Sequence, residues 1–395
     1  VLKRSSFFYP SKKILNKIIV LSVILFQLRA IKISKMKKYF IAFAFLFALT
    51  FILSVHSCKF APKKVALDVA AKPFELLSQY NFFTGALNSL TPNERILPYD
   101  LISPLFTDYA HKARFVYVPE GKQVAYDDKE VLNLPVGSCY IKNFYYPADF
   151  SKPKEKWRII ETRLLVHRKD GWEALDYIWN DDQSDAKLEV AGDIKKVSWI
   201  HYDGSKKEVD YVIPNKNQCK GCHWENNVGI MPIGPKVRNL NKSIAFADGE
   251  KNQLAKWIEA GFLKDAPNLS QMPKMVDYND ESAELNDRAR AYLDINCGHC
   301  HRDKGPAYTS GLWLNLDNEN MENLGICKSP VAAGKGTGGL LVDIFPGHPE
   351  LSILPLRMKS EDAGIKMPEV GKVLVHTEGV ALIEKWITAM QGECK

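Results

Sequence analysis

The sequence predicts a multidomain chain. An N-terminal all-β part, a sandwich or open barrel, is followed by two mainly α domains. Three observations carry this. The chain has 395 residues, too many for one small domain. Residues 73–215 hold short β-branched and aromatic runs punctuated by Gly and Asp. Residues 216–395 show helical apolar periodicity in three places and carry Cys-x-x-Cys-His twice.

The first element lies outside the fold. Residues 39–55 are an uncharged apolar run behind Met36-Lys37-Lys38, ending at Val55-His56-Ser57-Cys58. A basic stretch, an apolar run and a small residue before the cut mark a secretory signal. A Cys directly after that small residue resembles a bacterial lipobox, with Cys58 as the lipid-bearing first residue of the mature chain. His56 is unusual in such a box, and a plain membrane anchor is the competing reading; seventeen residues are short for a span. Met36 is the expected start, so 1–57 reads as an upstream segment plus lipoprotein signal and 58–72 as a tether. Residues 1–57 hold ten Lys/Arg and no Asp/Glu, so the chain's +7 becomes −3 when they go. The basic character belongs to targeting and gives no nucleic-acid footprint.

The β part, 73–215, reads as strands at Ala113–Val118, Ser138–Tyr146, Trp157–His167, Trp172–Trp179, Lys187–Val190 and Val197–Tyr202. Turn signals such as Asp170-Gly171 and Asp203-Gly204 separate some of them. The α parts are 216–278 and 279–395. Their helices are expected at Leu254/Trp257/Ile258, at Leu285/Ala289/Tyr292/Leu293, and at Val380/Ile383/Trp386/Ile387/Met390 behind Thr377. Lys256-Trp257-Ile258 and Lys385-Trp386-Ile387 suggest a repeat, each preceded by Met-Pro (Met231-Pro232, Met367-Pro368).

The chemistry lies in Cys219-Lys-Gly-Cys222-His223 and Cys297-Gly-His-Cys300-His301. Such a motif attaches haem c. Two sulfurs three residues apart reach two vinyl groups on one porphyrin edge, and the next His reaches the iron. A zinc site drawn from both Cys pairs competes, but the pairs are 78 residues apart. A redox Cys-x-x-Cys competes too. The His after each pair and the export signal favour two haems, with His223 and His301 as first axial ligands and His299 as filler. Sixth ligands decide between carrier and enzyme. Met367 leads for the second haem, ahead of Met358, His348 and His376. Met231 leads for the first, ahead of Met272 and Met275. Pro235 and Pro306 resemble the prolines of class I cytochromes, in which a Pro carbonyl accepts the axial His N–H. Cys327 and Cys394 are expected to form a disulfide, and Cys139 to be a buried free thiol.

Leu97-Pro98-Tyr99-Asp100, Ser103 to Ala110, Ile160 to Leu165, Pro232 to Lys236, Arg290 to Cys297 and Pro346-Gly347 with Ser352-Ile-Leu carry a resemblance. They look like a family of uncharacterised bacterial di-haem c-type cytochromes, often encoded beside a parallel β-helix repeat protein. Met placement on a loop before the last helix resembles class I cytochromes, so two mainly α class I cytochrome c-like domains are expected. The resemblance implies exported electron transfer, redox protein partners and a partner bearing a β-helix. The resulting expectation is a periplasmic or outer-face, lipid-anchored carrier. The alternatives are a di-haem enzyme of the cytochrome c peroxidase kind, with Glu161, Arg163 or His201 near its site, and a polymer-binding β domain serving an oxidase.

Overall fold

A computed structural model describes residues 63–331 and 333–394, together with Val20 and Leu25. The upstream segment, the signal and Cys58 lie outside the described residues. Among the described residues no helix is long and apolar enough to cross a membrane.

Residues 63–395 form one compact unit. Its centre is a six-stranded antiparallel meander: β1 (Ile96–Tyr99), β2 (His111–Tyr117), β3 (Cys139–Pro147), β4 (Trp157–Arg168), β5 (Gly171–Trp179) and β6 (Ala186–Glu189). Spatial order follows chain order, as short connections between antiparallel neighbours require. Register fixes what each face carries. Phe115, Ile141, Leu164 and Leu175 stand directly opposite one another across β2 to β5. This row packs on Leu77, Phe82 and Leu90 from the preceding segment. Each such side chain contributes about 1.5–3 kcal/mol on burial.

The other face is covered in two places. A separate hairpin, β7 (Asp193–Ile200) with β8 (Lys206–Ile213), lays Val197, Trp199, Val209 and Tyr211 against Phe144, Tyr146 and Ile160. Alternate hairpin residues such as Lys196 and Glu208 face solvent. Elsewhere Val116, Tyr140 and Leu165 meet Leu254, Trp257 and Phe262 from the C-terminal half. The β part is thus an open sheet with a hairpin on it, not a barrel.

The two mainly α class I cytochrome c-like domains are not there. Six α-helices of 4 to 12 residues occur among the described residues. The periodic stretches do become helices: α2 (Gln253–Glu259), α3 (Leu285–Asn296) and α5 (Thr377–Thr388), with α1 (Lys216–His223) and α4 (Ile353–Lys359) besides. The reason lies in where their apolar faces go. The two turns of α2 are too short to enclose a core alone. Trp257, fully buried, packs edge-on against Tyr99 of β1 at 6.2 Å. Trp386 lies in a different cluster, with Leu293 and Ile383, and donates to Asn286 at 3.1 Å. The Lys-Trp-Ile repeat therefore does not mark two equivalent domains. Between α3 and α4 the described chain has turns, bridges and 3-10 segments but no α-helix.

Candidate functional site

The first motif lies on α1. Asn215 caps it, accepting from the Asn217 and Gln218 amides at 3.0 and 2.9 Å, while Gln218 accepts the Asn215 amide at 2.9 Å. This reciprocal cap holds a short helix whose interior offers little packing. Cys219 and Cys222, three apart, then share a face. The second motif is a turn behind α3, closed by Cys300 N–H and His301 N–H donating to the Cys297 carbonyl at 3.0 and 2.9 Å. Gly298 is required there. A Cβ would sit 2.8 Å from the Asp294 carbonyl oxygen and 2.9 Å from Asn315 Cα.

Both motifs open into one cavity of about 500 Å³, within the usual range for bound small molecules. Cys219, Cys222, His223, Cys297, Cys300 and His301 all line it. The motifs are tied together behind it. Cys300 Sγ lies 3.5 Å from the Gly221 carbonyl, Arg302 pairs with Glu225 at 2.5 Å, and the Asn226 amide donates to the Lys304 carbonyl at 3.0 Å. As a result, ligand atoms of Cys222, His299 and Cys300 all lie within 4.8 Å of one another.

Burial lowers both imidazoles to about 4, so His223 and His301 are neutral above that pH. A neutral imidazole is what iron ligation requires. The tautomer of His223 is set by its partner: Nδ1 lies 2.7 Å from the Met231 carbonyl, which can only accept. Nδ1 therefore carries the proton and Nε2 keeps its lone pair. His301 Nδ1 faces Ser310 Oγ at 3.4 Å.

This geometry corrects two expectations. The axial-side acceptor for His223 is Met231, not Pro235, whose carbonyl instead receives Leu132 N–H at 3.1 Å. Pro306 lines the cavity, while the polar neighbours of His301 are the Ser310 hydroxyl and the Leu312 backbone. The His223–Met231 bond also counts against Met231 as a sixth ligand. Its carbonyl accepts from His223 Nδ1 and its side chain packs on the Leu254–Trp257 cluster, so an iron held at Nε2 would lie on the other side of the imidazole. Met272 and Met275 are buried away from the cavity, Met272 in the same cluster. Met367 and Met358 do line it.

Other predicted residues fall as follows. Cys327 and Cys394 are joined by a disulfide, with Cα atoms 5.2 Å apart. Cys139 is buried and free in β3. Glu161 and Arg163 form a two-pronged pair at 2.6 and 3.0 Å, and Arg163 reaches the cavity. His201 lies in the aromatic cluster under the hairpin, 5.0 Å from Tyr109. His348 is exposed and paired with Glu350 at 3.0 Å.

Sequence reasoning passed over the sheet's share of the wall. Arg114, Lys142 and Asp176 line the cavity from β2, β3 and β5. His376 lines it as well, 3.2 Å from the Tyr292 hydroxyl and stacked on Phe106 at 4.1 Å. Charged residues at inward positions on three strands were the available signal, but only register aligns them.

The residues fit two haems attached by thioether bonds. Each sulfur pair has its imidazole, the imidazoles are neutral, and the shared cavity is largely apolar. They fit a structural zinc site less well, since three ligands converge among the described residues where four are needed. No family model, no curated protein and no solved structure matches this chain.

Proposed function

We propose that this chain is an exported di-haem c-type cytochrome that relays electrons between partner redox proteins at a membrane face. One observation carries the reading: two Cys-x-x-Cys-His motifs, 78 residues apart in sequence, open into one cavity with Cys222 and Cys300 side by side. Haem iron, when bound, takes up and gives back one electron. The chain's own part is to hold each imidazole neutral and oriented, to exclude water with apolar walls, and to keep the two attachment points adjacent. The lipid at Cys58 and a partner bearing a β-helix repeat belong to the same proposal.

The test is haem content. Protein exported from a host that matures c-type cytochromes is expected to carry two haems per chain, by pyridine haemochrome assay and intact mass. Replacing Cys219 and Cys222 together by Ser should leave one. Wild-type protein that is exported and folded yet free of haem would end the proposal.

A di-haem enzyme of the cytochrome c peroxidase kind is the second reading. What favours it is that Met231 serves His223 through its backbone carbonyl. EPR separates the two. A high-spin haem with peroxide turnover supports the enzyme; two low-spin haems inert to peroxide eliminate it.

A further inference from the structure

Sheet register places Arg114, Lys142, Arg163 and Asp176 directly opposite one another across β2, β3, β4 and β5. All four line the cavity. Three adjacent strands thus present three cations side by side, and like charges in directly opposed positions destabilise a sheet. Two of them are compensated. Arg114 pairs with Asp100 at 2.8 Å. Arg163 holds Glu161 with two hydrogen bonds and faces Asp176 at 3.4 Å. Lys142 is different. Its ammonium has no hydrogen-bond or ion-pair partner among the described residues. Its nearest compensation is the face of Phe144, 4.7 Å away, which the Arg163 guanidinium also approaches at 4.4 Å. Burial first, and then the charges of Arg114, Lys112 and Arg163, push its ammonium well below the usual lysine range, with Glu161 pulling the other way. A half-buried lysine in that setting keeps its charge only with an anion beside it.

The row has a direction. Helix α1, which carries Cys219 and Cys222, is tied to β5, the strand of Asp176, by Lys216 on Glu173 at 2.7 Å. Strands are about 4.8 Å apart, so Arg114 lies about 14 Å along the sheet from Asp176. A porphyrin attached through its vinyl edge at Cys219 and Cys222 carries its two carboxylates on the opposite edge. The uncompensated cation therefore lies on the way from the attachment edge to the acidic edge.

We propose that Lys142, backed by Arg114, is the docking site for the propionate carboxylates of the haem attached at Cys219 and Cys222. This rests on the di-haem reading and assigns the β-sheet its part in it. The sheet supplies the positive wall that neutralises the acidic edge of that haem, and so raises its reduction potential over that of a solvent-exposed edge. The same chemistry could come from a free anion entering the cavity, and the test separates the two.

The experiment uses the full exported holo-protein with Lys142→Gln and Lys142→Arg. Haem content is measured first. With two haems present, Lys142→Gln is expected to lower the potential of one haem and leave the other. The size expected is about tenfold in its one-electron equilibrium, or ~59 mV, by spectroelectrochemical titration. Lys142→Arg should restore it, and neither variant should change spin state. Two haems with both potentials unmoved overturn the inference alone, whereas absence of haem from wild type removes the di-haem reading and the inference with it. A new high-spin haem in Lys142→Gln would make Lys142 an axial ligand instead. A saturable shift of the wild-type potential by inorganic phosphate, lost in Lys142→Gln, would make the row a site for a diffusible anion. Resonance Raman on wild type needs no variant: a propionate bending band insensitive to H2O/D2O exchange overturns the carboxylate contact.

Discussion

His223 donates its Nδ1–H to the carbonyl of Met231, eight residues on, at 2.7 Å. The chain from His223 thus folds back behind the imidazole and does not loop round the cavity. Met231 serves the site through its backbone. Met231→Leu is therefore expected to leave the spin state of both haems and both potentials unchanged, read by EPR and redox titration. On the di-haem proposal, with Met367 as a sixth ligand, Met367→Ala should give one haem a high-spin signal and a lower potential. An unaltered Met367→Ala spectrum would pass that role to Met358.

Gly298 has no room for a side chain. Both atoms closest to a Cβ there are backbone, from Asp294 and Asn315, so neither can swing aside. Gly298→Ala should cost about 1–3 kcal/mol in overpacking. It should also displace the second Cys pair, so haem content should fall towards one per chain while the first motif still loads. Full loading at both motifs would show that this turn is more pliant than its contacts imply.

The Cys327–Cys394 bond closes a separation of 67 residues. Loop-closure entropy for that length is worth about 4 kcal/mol. Cys394→Ser should shift the chemical-denaturation midpoint down by the corresponding amount and free the C-terminal residues to proteolysis. Haem spectra should stay unchanged, because neither cysteine lines the cavity.

Arg238 stitches the two motif-bearing segments together. Buried itself, it donates to both oxygens of Asp317 at 2.8 and 3.0 Å and to Asp294 at 3.3 Å. Asp294 stands on α3 just before Cys297, and it is buried too. Arg238→Ala would leave that carboxylate with the Leu316 N–H at 2.9 Å and Lys236 at 3.9 Å, at a cost of about 1.5–3 kcal/mol for the lost charged hydrogen bonds. Thermal unfolding should detect this.

The same network gives a pH dependence. Partial burial pushes the Asp317 carboxyl up, but the hydrogen bond and charge of Arg238 outweigh it and hold it below the usual carboxylate range. A lowered folded-state value stabilises fully above the unfolded value, about 3.9. That contribution is lost as pH falls through the lower folded value. Acid unfolding of Asp317→Asn should lack this component, with the difference from wild type confined to that acidic window.

The sequence by itself determined the local chemistry. Cysteine spacing, the adjacent His and the helical periodicity of α2, α3 and α5 are properties of neighbouring residues, so short windows contain them. It also determined that 73–215 is built of strands. Tertiary structure decided everything that depends on which distant segments meet. Trp257 looks like the core residue of its own small domain, yet it is buried against Tyr99 of the sheet. A half-apolar helix of two turns takes whatever apolar partner is nearest in space, and the helix pattern does not name that partner. Cys222 and Cys300 are brought together by Arg302, Glu225 and Asn226, none of which belongs to either motif. Lys142 becomes a wall of the cavity only through the register that aligns it with Arg114 and Arg163. Register is set by the whole sheet's buried face, since a slip of one residue would turn every one of these cations to the opposite side.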